Sequence, residues 1–524
     1  MDRFLQKLLD YYHLTYDEYL KLNKDINDIR LLDVNTIIDI DTIRNRIQSA
    51  IVNKEQILIY GDYDCDGICS TSIVKRTFDI LNYPVKYYIP SRYLDGYGLN
   101  VENVHKIAKA GYKLIITVDN GISANEAIDL ANSYGIDVIV VDHHEVPEVL
   151  PNAYGFIHPT VSKISNIFGS GGYMSLFLSC ALLNKYDDYL VTLAGLSVIS
   201  DLMELKDYNR DVVLLAISNF DKNRYLPLRL LTDTNIVTEK TFSLEIAPKI
   251  NAIGRICEKN EANRLIKYLT SSNELEIIEY SKWILSVNEE RKLLTKTFSD
   301  SFDTSLLGNS SSIVTICDTK EGIIGLIANR FLNMFNVPSI AFAVDSKDEN
   351  ILKGSARSKA GFSIVEAYKD ESISKYLITS GGHAYAGGLS IKKDDFEAFK
   401  QSFDQYASLH PFIDDEKPTI EISLNDINKA NYKTLRTFAP FGMGFEEPLF
   451  LIKHFKTSEL DFISYGKHIS TRLGISTKLL GFNMPYNEVS QYKFIDLKGN
   501  FHLSYYNGIE YLEFRLNSYE KSTD

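Results

Sequence analysis

The first candidate site is a loop that carries three alternate aspartates. Asp62, Asp64 and Asp66 lie in the sequence Gly-Asp-Tyr-Asp-Cys-Asp-Gly, between an apolar run and a helical stretch. Carboxylates two residues apart in an extended loop point to the same side and can hold a divalent cation. For a single aspartate, capping of the next helix by Asp66 or by Ser70 is the simpler explanation. The three together predict a cation site.

Further acidic and imidazole groups follow apolar runs later in the chain. Asp119 begins Asp-Asn-Gly, which could equally form a plain turn. Asp142, His143 and His144 directly follow Val-Ile-Val-Val, and imidazole is the commonest metal-binding side chain. Asp201 ends an apolar run, where capping of a helix is the alternative. Separately each has an ordinary explanation, but together they predict one centre.

A parallel sheet would bring these groups together. From Gln56 the chain repeats a pattern of a β-rich run, a loop and a helical stretch. Apolar and polar residues do not alternate within the β-rich runs, as expected for a parallel sheet that is covered on both faces. The carboxyl ends of such strands face one crevice. Two divalent cations about 3.5–4 Å apart would offset the repulsion between the acids and form a clamp for in-line attack on phosphorus. The predicted strands are 57–60, 85–89, 114–118 and 138–141.

Composition limits the possible classes of protein. A chain of 524 residues suggests about three domains. A net charge of −13 argues mildly against nucleic acid, although acids that hold cations contribute to that charge. The five cysteines are scattered without a Cys-x-x-Cys pair, so neither a disulfide framework nor a zinc site is indicated. The start lacks a signal-peptide pattern and no apolar run reaches the roughly 18 residues of a membrane span, so we expect a cytoplasmic protein without membrane contact.

The chain divides into five predicted segments. Residues 1–39 form an N-terminal helical segment, and 40–215 an α/β catalytic domain. Residues 216–304 form a helical connector, with one long helix from about 261 to 301 that carries Leu275, Ile278, Leu285 and Leu293 at helical spacing. A smaller α/β domain covers 305–410, with strands at 313–316 and 339–343. Residues 411–524 form a small β-barrel, where Asn-Gly at 507–508 predicts a hairpin between strands 501–506 and 511–516.

The order of these motifs resembles the DHH phosphoesterase superfamily and, within it, the bacterial RecJ exonuclease family. The resemblance spans almost the whole chain and implies a parallel-sheet DHH domain, a long connecting helix, a smaller α/β DHHA1 domain and a C-terminal OB-type β-barrel. The motifs that carry it, besides the aspartates and histidines above, are Ser91-Arg92 with Gly96-Tyr97-Gly98, Ala247–Arg255, Lys353–Ser358, Gly381–Gly387 and Ala439–Pro448.

The resemblance also implies a metal centre. It would contain two Mn²⁺ or Mg²⁺ ions, with Asp119 bridging them. The implied ligands are Asp64, Asp66, Asp119, His143 and Asp201, and the groups that would orient ligands or handle protons are Asp62, Asp142 and His144. Many relatives have a histidine where this chain has Tyr60, which predicts weaker binding of one ion.

A pocket for a terminal 5′-phosphate is the other implied site. Guanidinium groups suit phosphate oxygens, and paired glycines let backbone amides approach them. Surface ion pairs for the arginines and a simple turn at the glycines are the alternatives. The implied residues are Arg92, Arg255, Ser355, Arg357, Gly381, Gly382 and His383. Relatives often have a histidine where this chain has Lys320-Glu321, so no role is assigned there.

The predicted function is therefore a metal-dependent 5′→3′ exonuclease that acts on single-stranded DNA in repair and recombination and releases 5′-mononucleotides. A phosphodiesterase for short oligonucleotides or cyclic dinucleotides is one alternative, against which the C-terminal barrel argues. A replication scaffold that binds single strands without cutting them is another, but it should have lost metal ligands. The partner is a single strand with a 5′ end; single-strand binding protein and a helicase are candidates that the sequence does not select.

Overall fold

A computed structural model describes residues 2–164, 167–300, 310–413, 417–506 and 509–523, and their side chains except those of 299–300, 505–506 and 509. The chain forms two compact units. One combines Met1–Arg30, Glu204–Lys206 and Glu416–Asp524, and the other combines Leu31–Met203 and Asp207–Asp415. Among the described residues, no helix has the length and apolar character needed to cross a bilayer.

The α-helices of the described residues are, in chain order, α1 (Arg3–Tyr12), α2 (Tyr16–Leu22), α3 (Ile40–Val52), α4 (Cys65–Ile80), α5 (Val101–Lys109), α6 (Asn125–Ser133), α7 (Gly171–Leu183), α8 (Asp188–Ser200), α9 (Asp207–Asn223), α10 (Leu226–Arg229), α11 (Ala247–Ile256), α12 (Asn263–Thr270), α13 (Glu274–Asp300), α14 (Ile324–Phe335), α15 (Ile364–Lys369), α16 (Glu371–Ser374), α17 (Phe396–Leu409), α18 (Lys429–Arg436) and α19 (Tyr486–Val489). A π-helical turn, Thr241–Ile246, precedes α11.

The strands are β1 (Ile57–Tyr60), β2 (Lys86–Tyr88), β3 (Leu114–Val118), β4 (Asp137–Val141), β5 (Gly155–Ile157), β6 (Ile313–Ile316), β7 (Ser339–Val344), β8 (Ile351–Arg357), β9 (Leu377–His383), β10 (Ala386–Lys392), β11 (Thr419–Glu421), β12 (Leu449–Lys456), β13 (Phe462–Ile463), β14 (His468–Arg472), β15 (Thr477–Gly481), β16 (Phe494–Tyr506) and β17 (Ile509–Lys521).

The first sheet of the larger unit has the order β2-β1-β3-β4-β5, and all of its pairs are parallel. Every residue of β1 and β3 is buried, as expected for apolar runs covered on both faces. The prediction of a parallel sheet is confirmed, and the bounds of β1 and β3 agree with it. The short strand β5 was not predicted, because Gly155-Phe-Ile contains no recognisable β-rich run.

The predicted long connecting helix is present as α13, which has 27 residues. It begins later than expected because residues 271–273 separate it from α12, and the side-chain oxygen of Asn273 accepts hydrogen bonds from the first turn of α13. The apolar residues that suggested the helix lie on its outer side, with Leu275 79% exposed and Leu293 64% exposed. The buried side carries Ile277, Ile284 and Val287.

The second sheet of this unit has the order β6-β7-β8-β10-β9 and is mixed. The predicted strands 313–316 and 339–343 correspond to β6 and β7, which pair in parallel. The remaining pairs, β7 with β8, β8 with β10 and β10 with β9, are antiparallel. Strand β9 lies at the edge, and its glycines face glycines of β10, since Gly381 pairs with Gly388 and Gly382 with Gly387.

The smaller unit contains a seven-stranded sheet in the order β11-β12-β16-β17-β15-β14-β13. Strands β16 and β17 pair antiparallel, with Phe501 opposite Phe514. The predicted Asn507-Gly508 turn lies outside the described residues. Helix α1 belongs to this unit, because Phe4, Leu8 and Leu9 are buried in the same apolar cluster as the strands.

Candidate active site

The aspartate loop connects β1 to α4. Asp64 is the N-cap of α4, and its Oδ1 accepts a hydrogen bond from the Gly67 amide at 3.0 Å. The residue that caps α4 is therefore Asp64. The sequence had suggested Asp66 or Ser70 for this role, and that interpretation is wrong. Gly67 is required here, because a Cβ atom would lie 2.5 Å from the Asp62 carbonyl oxygen. The loop thus turns sharply and directs its three carboxylates into one region.

Asp66 is held at the N-terminus of another helix. The amides of Gly171 and Gly172, the first residues of α7, donate to its two carboxylate oxygens at 2.8 and 2.7 Å. The Ser197 hydroxyl donates to the same carboxylate at 2.5 Å. Helix N-termini favour anions, so this contact fixes the orientation of a buried carboxylate. Oδ2 of Asp66 remains 3.5 Å from Nε2 of His143.

His143 is the point at which four distant segments meet. Its Nε2 atom lies 3.1 Å from Oδ1 of Asp119, 3.5 Å from Oδ2 of Asp66 and 3.5 Å from Oδ2 of Asp201. Asp201 ends α8 as its C-cap residue, and Asp119 follows β3 with a left-handed φ of 60°. The structure therefore brings the predicted residues together at the carboxyl ends of the strands.

Asp119 is shared by a neighbouring cluster. Carboxylate oxygens of Asp62, Asp64 and Asp119 lie within 4.8 Å of one another, as do ligand atoms of Asp66, His143 and Asp201. Asp62 is buried, and its Oδ1 accepts no hydrogen bond from the described residues. A buried carboxylate oxygen without a donor is costly unless a cation or a proton satisfies it.

Burial and mutual repulsion raise the pKa values of four of these acids. Burial, and then the neighbouring carboxylates, raise the pKa of Asp62, Asp64 and Asp119 above the usual range, and raise the pKa of Asp201 to about 8. Such a cluster is neutralised either by protons or by cations. Carboxylates with one imidazole form a donor set suited to Mn²⁺ or Mg²⁺, so the residues present fit two divalent ions.

Asp142 and His144 form a pair beside this centre. Nδ1 of His144 donates to Oδ1 of Asp142 at 2.7 Å. Although burial opposes both charges, this contact lowers the pKa of Asp142 to about 2 and raises the pKa of His144 to about 9. The Tyr97 hydroxyl lies 3.0 Å from Nε2 of His144 and donates to the Asp119 carbonyl at 3.2 Å. Tyr97 thus joins the pair to the backbone of Asp119.

A cavity of about 480 Å³ in the same unit is lined by arginines and hydroxyl groups. Arg92, Arg255, Ser355, Arg357 and Gly381, all predicted for a phosphate pocket, line it. Gly325, near the start of α14, lies close to the Arg357 side chain. A Cβ atom at this position would be 2.9 Å from the guanidinium group of Arg357. Gly382 and His383 lie outside the lining, exposed at the end of β9.

The arginines of this cavity have few partners. Nε of Arg92 is buried without an acceptor among the described residues, and Arg255 donates at 3.4 Å to the Gly322 carbonyl. Burial and neighbouring arginines, including Arg92 and Arg357, lower the pKa of Arg255 to about 10. Grouped guanidinium ions repel one another, so the cavity favours a bound anion. The surface ion pairs considered as an alternative for Arg92 and Arg255 are not formed within the described part of the chain.

Glu321 is the acid in the lining of this cavity, and it pairs with a lysine. Its carboxylate lies 3.1 Å from Nζ of Lys353, which also contacts Asp345 at 3.0 Å. Lys320, by contrast, donates to the Ile256 carbonyl at 2.9 Å. No role was assigned to Lys320 or Glu321 from the sequence. In the structure Glu321 lines the cavity, whereas Lys320 is not part of the lining.

Several residues around the centre were not singled out from the sequence. Tyr97 lies in one of the sequence motifs, and the available signal was the pair of flanking glycines, which the structure places at positive φ. Gly171 and Gly172 follow a serine and precede an apolar helix, which signals a helix N-terminus but no ligand. The Tyr60 hydroxyl donates to the Gly98 carbonyl at 3.1 Å, so Tyr60 supports the loop that carries Tyr97.

Three family comparisons cover most of the chain. The DHH family N-terminal domain matches residues 56–217, the DHHA1 domain matches 309–409, and the RecJ OB domain matches 419–518. The chain belongs to the RecJ family. The fold predicted for a RecJ protein, with DHH, DHHA1 and OB domains in this order, is therefore confirmed.

Curated RecJ proteins show the extent of the similarity. The single-stranded-DNA-specific exonuclease RecJ of Bacillus subtilis is 31% identical over 425 residues, which cover 78% of this chain and 53% of that protein. The chain thus spans about half the length of that relative. The Haemophilus influenzae RecJ is 27% identical over 80% of this chain and 78% of its own length.

A solved RecJ structure shares the fold. The Thermus thermophilus RecJ in complex with Mn²⁺ matches with a TM-score of 0.82 and 22% identity, covering 99% of this chain and 78% of that chain. At this identity the match concerns the fold alone.

Proposed function

We propose that the chain is a metal-dependent exonuclease that degrades single-stranded DNA from its 5′ end and releases 5′-mononucleotides. The main support is the convergence on His143 of Asp66, Asp119 and Asp201 from separate segments. The curated relatives named above are single-stranded-DNA-specific exonucleases. An acidic centre of this kind, together with an arginine-lined cavity in the same unit, suits hydrolysis of a phosphodiester near a terminal phosphate.

The ions would be held by Asp64, Asp66, Asp119, His143 and Asp201, with Asp119 common to both. When bound, two divalent cations activate water and stabilise the charge that develops on a phosphodiester in the transition state. The imidazole ligand among carboxylates favours Mn²⁺, with Mg²⁺ as a substitute.

The protein's own groups would orient the substrate and the ligands. Asp142 accepts a hydrogen bond from Nδ1 of His144, so that Nε2 is directed at the Tyr97 hydroxyl. Asp142 also accepts the Ile122 amide at 3.0 Å, which anchors the pair to the loop after β3. This arrangement fixes the imidazole of His144 beside the loop that follows β3, and the opposite charges of Asp142 and His144 offset each other.

End recognition would come from the cavity. The guanidinium groups of Arg92, Arg255 and Arg357, with the Ser355 hydroxyl, can donate to the oxygens of a terminal phosphate. An interior phosphodiester carries less charge than a terminal phosphate and continues at both ends, so it suits such a site less well. Stepwise removal of mononucleotides follows from holding the end while the adjacent bond is cut.

The OB domain supports the choice of a single strand over a short substrate. Single-strand binders combine basic grooves with aromatic faces on which bases stack. In this domain Tyr465, Phe482 and Tyr486 are exposed. A phosphodiesterase for dinucleotides or cyclic dinucleotides has no evident need of such a domain, and a non-cutting scaffold has no need of a complete ligand set. Single-strand binding protein and a helicase remain candidate partners.

The test is a digestion series with labelled substrates. A 5′-phosphorylated single strand is compared with its duplex, with a dinucleotide and with cyclic di-AMP, each with Mn²⁺ and with EDTA. We expect mononucleotides from the single strand alone, released from the 5′ end and only with the metal. Faster turnover of the dinucleotide or of cyclic di-AMP would contradict the proposal.

A further inference from the structure

Helix α11 contacts the aspartate loop through a side-chain amide. Oδ1 of Asn251 accepts a hydrogen bond from the Cys65 amide at 2.8 Å. Cys65 stands between Asp64 and Asp66 and is the first residue of α4, where a backbone N–H has no acceptor within its own helix. A residue 186 positions away therefore satisfies this amide.

The same face of α11 is pressed against the loop one turn later. A Cβ atom on Gly254 would lie 2.7 Å from the Tyr63 carbonyl oxygen, so a larger residue would push the helix and the loop apart. The next residue, Arg255, lines the arginine-rich cavity. Asn251 and Gly254 thus set the position of Tyr63 and Cys65, the residues on either side of Asp64.

We infer that Asn251 is a positioning residue for the metal centre: it holds the Cys65 amide and thereby fixes Asp64 and Asp66 as ligands. The inference rests on the proposed metal-dependent function. Asn251 contacts neither ligand, so its effect is through the backbone. Asp66 has further donors at α7, whereas the hydrogen bonds to the Asp64 side chain come from the amides of Gly67 and Asp66, at the start of the same helix. Asp64 is therefore the ligand that depends most on a fixed loop.

A purely structural role would give a different pattern. Loss of any buried hydrogen bond lowers stability, but only a positioning role changes metal affinity when the fold is intact. Asn219 provides a matched comparison, because its side-chain amide joins α9 to the Asp188 carbonyl at 3.2 Å, at the end of α8 remote from Asp201.

The experiment compares the full-length protein with Asn251→Ala, Asn251→Asp and Asn219→Ala. Mn²⁺ affinity is measured by calorimetric titration without DNA, binding of a 5′-phosphorylated strand is measured in EDTA, and thermal unfolding is followed for each. For Asn251→Ala we expect Mn²⁺ affinity to fall about tenfold and kcat to fall with it, while strand binding stays within about twofold. Asn251→Asp retains the acceptor and should recover most of the affinity.

Unchanged Mn²⁺ affinity in Asn251→Ala would overturn the inference, as would an equal loss in Asn219→Ala or no recovery in Asn251→Asp. Should Asn251→Ala fail to fold, Asn251→Ser, which is too short to reach the amide, takes its place. The Mn²⁺ titration needs no substrate. A wild-type protein that binds Mn²⁺ but digests no strand would therefore contradict the proposed function and leave this test valid.

Discussion

The guanidinium group of Arg92 lies over the ring of Tyr63, with its carbon 4.4 Å from the ring centroid. Tyr63 stands between Asp62 and Asp64, so one residue of the acidic loop contacts an arginine that lines the cavity. The proposed site of the terminal phosphate and the proposed metal centre are therefore linked by an aromatic ring and its stacked arginine. An arginine is suited to this role, because its planar group stacks and still donates in two directions.

Arg92→Lys should weaken end recognition more than chemistry. Lysine keeps the charge but loses the stacked fork, so KM for a 5′-phosphorylated single strand should rise about tenfold, equivalent to about 1.4 kcal/mol, with kcat nearly unchanged. Steady-state digestion of 5′-phosphate and 5′-hydroxyl strands measures the effect. Arg264→Lys is the control, since Arg264 also stacks on an aromatic ring, that of Trp283 at 5.4 Å, outside the cavity. An equal rise in KM for the 5′-phosphate and the 5′-hydroxyl strand would show that Arg92 does not bind the phosphate. An equal rise in Arg92→Lys and Arg264→Lys would show the same.

Asp119→Asn should abolish digestion while leaving the fold intact. Asparagine tolerates the left-handed φ of this position, whereas alanine does not. Because Asp119 belongs to one cluster and contacts His143 of the other, we expect the rate to fall by more than the roughly 10–100-fold typical of residues that only support a ligand. Removing one of several repelling carboxylates should also keep or raise the melting temperature in EDTA. Digestion assays and thermal unfolding with and without Mn²⁺ measure both effects. Retained cleavage would show that the metal centre does not include Asp119.

Gly171→Ala should damage the site without a change in charge. The new Cβ atom would lie 2.6 Å from Cβ of Asp119 and 2.7 Å from its Oδ1. Overpacking of this kind costs about 1–3 kcal/mol and here would displace the shared carboxylate. We expect weaker Mn²⁺ binding by titration and a large loss of activity. Gly474→Ala, whose nearest neighbour would be an ordinary contact at 3.9 Å, should behave as the wild type.

Glu513 should govern the acid sensitivity of the smaller unit. Burial alone would raise its pKa, but hydrogen bonds from Ser504, Lys478 and Arg515 lower it below the usual value. A lowered pKa stabilises the folded state above the unfolded pKa, and this contribution is lost as the pH falls through the folded pKa. Glu513→Gln should therefore cost about 1–2 kcal/mol at neutral pH and make acid unfolding of this unit less steep.

Denaturation followed at pH 7 and across the acid range tests this expectation. Glu421→Gln is the control, because Glu421 forms an exposed ion pair with Lys453 at 2.8 Å, which should contribute little. An equal loss in both variants would contradict the assignment.

The sequence could predict that these residues lie together because strand ends are recognisable. Asp119 and His143 each follow an apolar run, and parallel topology then requires the two to meet. The contact of Asp66 with Gly171 was not predictable in this way, since glycines carry no functional group and their amides act only when two helices pack correctly. Asn251 is similar, because its partner is a backbone amide and no spacing rule connects the two.

Burial within helices was also beyond the sequence pattern. Helix α13 has apolar residues around much of its circumference, so periodicity alone did not distinguish Leu275, which is exposed, from Ile277, which is buried. The partner of α1 could not be inferred for another reason. Amphipathic spacing shows that a helix has a buried side but does not show which distant segment covers it.

The packing of Phe4 and Leu8 among residues of 420–516 has a consequence for biosynthesis. A ribosome adding about 5–20 residues per second would expose this first helix for many seconds before its partners emerge. During that interval its apolar side must remain unburied or be shielded by a chaperone. The smaller unit can therefore complete its folding only after residues up to about Leu516 have been made, although the larger unit can begin earlier.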